Sequence, residues 1–430
     1  MKTRACRTIL TSLLQTALLL TQAPFALAAT TWYVNGVNGS DSHNCESPLT
    51  ACKTIGHAIS LAASGDAVTI AAATYIENVT IPVSLTVTGS GAGGTIINGN
   101  ASGSVVKIPN ASTRVTLSNV TLRNGSPQGG CPVPGVLYTK PTCGGGVYNA
   151  GTLTVNNSVI INNVAWGRRC GSMPGPDLCP QYESDGFGGG IYNSGTLKIN
   201  RTTIAGNEAA GSCVAGGGGI YNLGMLTINT SILSGNHAFE TFACSASTSK
   251  GGGIDNVGTA EINNSTLAGN VTNLHNNLQH EGGGIVNSGT LSVHNSTVSG
   301  NLGGIVGAVT LQNSIVANNV SGGINNVSGG INCNGPVTSI FSLSSDGTCH
   351  LNGPGDKNNT SPRLGTLGNY GGPTQTIPLL AGSPAIDAGN PSGCTDRLGH
   401  LLRTDQRGLP RPDTEDKSGC DMGAYERQSD

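Results

Sequence analysis

Carboxyl groups and aromatic rings are the side chains whose placement here could do chemistry, and both gather in a few short stretches of the 430-residue sequence. Hydrolysis of a glycosidic bond needs two carboxyl groups roughly 5 to 10 Å apart. Asp185 with Glu240 or Glu281 could meet that demand from neighbouring turns of a repeat. Proton abstraction by a lyase would instead need clustered carboxylates for a divalent cation and a basic residue, and no repeat unit puts two or three carboxylates together. The same stretches hold Arg168, Arg169, Asp177, Glu183, Lys250, His275 and His280, which read first as solvated loop charges. They also hold Tyr138, Trp166, Tyr182, Phe187, Phe239 and Phe242, six of the 15 aromatics beyond position 28, so the stretches are aromatic-rich for their length. An exposed ring offers flat apolar area at small entropic cost to a carbohydrate or protein partner. Buried rings would instead pack as satellite clusters over loop disulfides. Trp166, Tyr182, Phe187, Phe239 and Phe242 are therefore the candidate ligand-binding residues, and no catalytic set is assigned.

What must position these residues is a repeat. Five ungapped 22-residue segments begin at Gly144, Gly188, Gly217, Gly251 and Gly282, typified by GGGIYNSGTLKINRTTIAGNEA from Gly188, and a degenerate sixth begins at Gly303. Self-similarity at this period means a solenoid whose units bury their faces only against neighbours. Each unit carries three short β-branched runs, marked by Ile191, Ile199 and Ile204 in the second unit, and Leu197 and Ile199 alternate with polar residues as in a half-buried strand. The sequence predicts an all-β, single-stranded, right-handed parallel β-helix with three sheets. Gly151, Gly195, Gly224, Gly258 and Gly289 fall at one corner, where left-handed backbone angles are expected. Asn149, Asn193, Asn222, Asn256 and Asn287 precede that corner, and Asn163, Asn207, Asn236, Asn270 and Asn301 mark another; both sets are expected to stack as amide ladders. Repeated N-x-S/T triplets such as Asn156 to Ser158 read as part of this stacking rather than as glycosylation sites. The inserts between units measure 22, 7, 12 and 9 residues and enter at one point of the coil, so they form a single ridge. Such a ridge is the usual binding face of a repeat protein.

The ends and the cysteines place the chain in a compartment. Lys2, Arg4 and Arg7, the apolar run from Ile9 to Leu20 and Ala26-Leu27-Ala28 match a signal peptide over residues 1–28, leaving no expected transmembrane segment after cleavage. Beyond it the net charge is −5, which gives no basic face for nucleic acid. Twelve cysteines remain and pair naturally in sequence order: Cys45 with Cys52, Cys131 with Cys143, Cys170 with Cys179, Cys213 with Cys244, Cys333 with Cys349, and Cys394 with Cys420. Connectivity is not fixed by sequence alone, but an even count suits disulfides in an exported protein. No C-x-x-C pairs or matching histidine spacings suggest zinc, and neither metal nor cofactor is expected.

The stretch WYVNGVNGSDSHNCESPLTACKTIGHAISLAASGDAVTI from Trp32 resembles the opening of the pectin-lyase-like superfamily of right-handed parallel β-helices, which implies a short helix capping the first coil. The paired-aspartate, G-H-G and R-I-K motifs of polygalacturonase-like members are absent. YGGPTQTIPLLAGSPAIDAGN from Tyr370, DQRGLPRP from Asp405 and CDMGAYE from Cys420 look like the region that defines the bacterial choice-of-anchor Q proteins, exported β-helix proteins held at cell surfaces. Within those motifs Asp387, Arg407, Asp421 and Glu426 are expected to close the last coil by charge-assisted hydrogen bonds. The expected organisation is a leader at 1–28, an N-terminal cap with the first coils at 29–110, repeats with one-sided inserts at 111–340, and a C-terminal cap at 341–430. The expected function is non-catalytic: a secreted or cell-surface protein binding a polysaccharide or surface protein through the ridge. The alternative is a polysaccharide lyase or hydrolase of the superfamily that the first stretch resembles.

Overall fold

Each 22-residue unit lays down three strands because its apolar residues recur at positions that can all point to one axis. The unit from Gly188 gives Ile191–Asn193, Thr196–Asn200 and Thr203–Ala205. These join parallel sheets of nine, eleven and ten strands in a computed structural model that describes residues 29–133, 141–167, 185–240, 248–272, 282–321, 331–413 and 419–428. Register is strict: Ile191 pairs with Ile220, Ile199 with Ile228 and Ile204 with Leu233. All six are fully buried, and one apolar cluster runs from Val34 to Leu351. The chain is an all-β parallel β-helix. The leader at 1–28 lies outside the described residues.

Both asparagine columns form ladders. Asn149, Asn193 and Asn222 each donate from Nδ2 to Oδ1 of the next asparagine at 2.7 Å, and Asn256 does so to Asn287 at 2.6 Å. The second column runs from Asn163 through Asn207, Asn236, Asn270 and Asn301 to Asn319 and Asn332, at 2.9 to 3.0 Å per step. Each of these amides also serves the backbone; Asn207 Nδ2 donates to Ile160 O and Asn207 N to Asn236 Oδ1. The N-x-S/T triplets supply a third ladder on the outer face, Asn200 donating to Asn156, Asn229 to Asn200 and Asn263 to Asn229. Their hydroxyl residues Ser158, Thr202, Ser231 and Ser265 are buried and bond from coil to coil.

The corner glycines need correcting. Gly151, Gly195, Gly224, Gly258 and Gly289 do not have left-handed backbone angles. They are glycine because the coils touch there: a Cβ on Gly195 would stand 2.0 Å from Gly151 O. Left-handed angles fall instead on the residue before each buried hydroxyl, at Asn157, Arg201, Thr230, Asn264 and Asn295 (φ 46 to 52°). Asparagine tolerates that region and holds most of the column.

At the N-terminal end, the helix Ile55–Leu61 (α1) buries Ile55, Ala58 and Ile59 in the central cluster. Its entry is fixed by Thr54, whose hydroxyl accepts from His57 N, and by Glu77, whose carboxylate accepts from Ile55 N and Gly56 N at 2.9 Å. Disulfides join Cys45 to Cys52, Cys131 to Cys143, Cys333 to Cys349 and Cys394 to Cys420. Cys170, Cys179 and Cys244, the last assigned to Cys213, lie outside the described residues.

The C-terminal segment departs from the expected cap. Cys349 and Leu351 are what join the central cluster after the last coil. From Leu364 the chain instead turns back along the outside of the solenoid. Thr266 donates to Gln406, Asn295 to Thr395 O, and Ala424 N and Gly423 N donate to Thr297 and Asn313 O. Asp387, Arg407, Asp421 and Glu426 therefore organise a side-packed segment and do not close the final coil. Leu379, Ala385 and Met422 hold it against Ile315, Ala317 and Leu343.

Two substitutions test this frame. Gly195→Val should lower stability by more than about 3 kcal/mol through backbone collision. Asn222→Ala, which strands the Asn193 donor and the Asn256 partner, should lose about 1 to 3 kcal/mol. Chemical and thermal unfolding monitored by circular dichroism would read both.

Candidate functional site

The inserts do not leave the coil as plain loops. They leave on the strands Val164–Trp166, Glu208–Gly211, His237–Glu240 and Val271–Thr272, and they return on Thr142–Cys143, Gly186–Phe187, Val214–Gly216 and Thr248–Lys250. Each set forms its own four-stranded parallel sheet, so the ridge rests on two walls. Ala209, Ala215 and Ala238 pack between them. Small residues are required there: a Cβ on Gly186 would lie 2.3 Å from Ala165 O and from Ala210 O.

Strand parity then decides which side chains a ligand could reach. In the outgoing wall Ala165, Ala209 and Ala238 face inward. Val164, Glu208, His237 and Val271 form one outward column, and Trp166, Ala210 and Phe239 form the next. Trp166 is 43% exposed, Ala210 is buried, and Phe239 is half-buried with its ring stacked on His237 at 4.9 Å. Burial raises the Glu208 carboxyl above its ordinary range and lowers the His237 imidazole. Those two groups occupy paired positions on adjacent strands, beside the aromatic column.

Phe187 is a correction to the candidate set. It is buried in the return wall, 4.8 Å from the Tyr221 ring and clustered with Val133 and Cys143, so it is not offered to a ligand. This is the disulfide-backed satellite cluster that the sequence left open as the alternative. Its centre is a stack that sequence reasoning missed: Tyr148, Tyr192 and Tyr221 at 5.3 and 5.8 Å, with the Tyr192 hydroxyl donating to Pro132 O. The signal was present in the GGGVYN and GGGIYN segments, where each tyrosine follows a core residue and must point outward. Lys107 lies over Tyr148 at 5.5 Å.

Asp185 and Glu240 are both buried. Asp185 Oδ1 accepts from Val214 N at 2.9 Å, and Glu240 alternates with Phe239 and so points to the inner side of the wall. Neither stands on the outer face with Trp166. Lys250, half-buried, ends the return strand Thr248–Lys250. Tyr138, Tyr182, Phe242, Arg168, Arg169, Asp177, Glu183, His275, His280 and Glu281 lie outside the described residues. Among the described residues, one group of His, Cys, Asp or Glu brings three donor atoms close, Cys45, Cys52 and His57, and its two sulfurs are spent in a disulfide. No helix among the described residues is long and apolar enough to cross a membrane.

The sorting of rings by parity is testable. Phe187→Ala should cost about 3 kcal/mol or more in unfolding experiments, because it empties a packed cluster. Trp166→Ala should stay within about 1 kcal/mol.

No family model and no curated protein matches the chain. Among solved structures it is similar to pectate lyase Pel9A, with 15% identity, a TM-score of 0.41, and 93% of this chain and 98% of that chain covered. It is similar also to XylC in complex with xylose, with 10% identity, a TM-score of 0.37, and 92% and 98% covered. A third is the pectin methylesterase from Aspergillus niger, with 13% identity, a TM-score of 0.33, and 77% and 85% covered.

Proposed function

We propose that this is an exported β-helix protein that binds an extended glycan along the outgoing wall of its insert ridge. The observation that carries the reading is the column Trp166, Ala210, Phe239: two aromatic rings two strands apart, with a small residue between. Strands lie about 4.8 Å apart, which sets the rings roughly 10 Å apart along the ridge. That spacing suits alternate sugar units of an extended chain, and flat rings bind the apolar faces of pyranoses with little loss of side-chain freedom. The disulfides support export, since such bonds persist in oxidising compartments. The resemblance of the segment from Tyr370 to the choice-of-anchor Q region supports a surface location. A protein ligand on the same wall is the competing occupant within this reading.

Glycan arrays and isothermal titration with the purified chain are the test. Trp166→Ala and Phe239→Ala should each weaken glycan binding about tenfold or more, and together abolish it, with the unfolding midpoint nearly unchanged. Retained affinity in the double variant would refute the wall as the site. Capture of a protein and no glycan would refute the ligand class.

A second reading, a polysaccharide-active lyase or hydrolase, draws on Glu208 and His237. A carboxyl that keeps its proton to higher pH beside an imidazole that stays neutral to lower pH is an acid and base pair in kind. On this reading product formation needs both groups, and Glu208→Gln and His237→Asn each lower it by about a hundredfold or more with the fold kept. Inactivity on both neutral and acidic polysaccharides would overturn it.

A further inference from the structure

The segment that lies along the outside of the solenoid keeps one cluster of its charges under cover. Asp405, Arg407, Arg411, Asp421 and Glu426 are all buried. Arg407 pairs with Asp405 at 2.7 Å and stacks on Tyr425 at 3.6 Å. Arg411 pairs with Glu426 at 2.7 Å and donates to Gly423 O at 2.9 Å. It also reaches the solenoid, donating to Asn264 Oδ1 at 3.0 Å. Both buried guanidiniums are thus committed to other carboxylates. Asp421 takes its hydrogen bonds from backbone amides, Asp387 N at 2.9 Å and Arg427 N at 2.6 Å, while its own N–H donates to Glu426. The ionisable groups facing Asp421 are Glu426, Arg411 and Arg427, with Asp405 beyond Glu426. From the solenoid the neighbours of this core are uncharged, Asn264, Thr266 and Thr297.

Asp421 is a buried carboxylate that neither ion pair neutralises, and such a group in a low-dielectric site retains a proton instead. We propose that the described residues 364–413 and 419–428 form a proton-tightened latch, in which one proton held by the Asp421 and Glu426 pair secures them against the outer face of the coils. Burial, with the Glu426 charge beside it, pushes Asp421 up to about 7. When the segment leaves the coils and unfolds, the aspartate returns to about 3.9. Between those values the docked form binds more protons, so docking strengthens as pH falls from 7 towards 4 and is constant above 7.

The middle of the segment titrates in the opposite sense. His294, buried beneath Thr395, Asp396 and Arg397 with Glu261 and Gln312 beside it, has its imidazole lowered by burial. Protonating it at acid pH opposes docking of that part. The middle and the C-terminal part of the segment are therefore separable by a method that resolves them along the chain.

Hydrogen–deuterium exchange of the full-length protein, corrected for intrinsic exchange and followed from about pH 5 to about pH 8, provides that resolution. Peptides spanning residues 405–411 and 420–427 should open less readily on acidification, by up to about tenfold per pH unit below pH 7. Asp421→Asn should flatten that slope, leaving at most what Glu426, also raised by burial, contributes, while residues 394–401 keep theirs in the opposite direction. Flat wild-type protection below pH 7, or an unchanged slope in Asp421→Asn, would overturn the latch. If the variant does not accumulate as folded protein, the wild-type profile decides alone.

Discussion

Coil-on-coil stacking in exact register is the constraint from which everything else in this molecule follows. A single coil of three short strands has no partner for its backbone groups and no interior of its own. Each gains both only from the next coil, about 4.8 Å away. The asparagine columns make this register selective. Asn207 donates to Asn236 and to Ile160 O while its own backbone N–H is met by Asn236 Oδ1. A slip of one residue would leave buried amides unpaired all along the column, at a cost of about 1 to 3 kcal/mol for each one.

That constraint explains which parts of the fold were legible in the sequence. Ile191, Ile199 and Ile204 recur without gaps from unit to unit, and stacking turns such recurrence directly into three sheets. The Asn149 and Asn163 columns were legible for the same reason. The corner glycines were legible as a position but misread as to cause. Sequence shows that Gly195 recurs, yet steric approach of Gly151 O and a left-handed φ both select glycine, and only the folded structure separates them.

The site was less legible because its elements are too short to carry a pattern. The strands that start and finish each insert have two to four residues, and their sequences vary among the coils. Trp166 and Phe187 look alike as aromatics beside an insert, but one sits on the outer parity of the outgoing wall and the other inside the return wall. The segment beyond Leu364 has no repeat at all, so nothing in its spacing tells a closing coil from a strap along the side. One of its two buried ion pairs marks a place where it meets that side, for there Arg411 touches Asn264, a residue 147 positions earlier.

The two walls also bear on how such a chain can change over time. The described outgoing and returning strands hold fixed register with their neighbours although the inserts between units run from 7 to 22 residues. Length and composition at the tip are thereby uncoupled from the geometry of the shaft. One insert can be lengthened, shortened or exchanged without disturbing the next, so the ridge can diversify piecemeal while the stack beneath it is inherited whole.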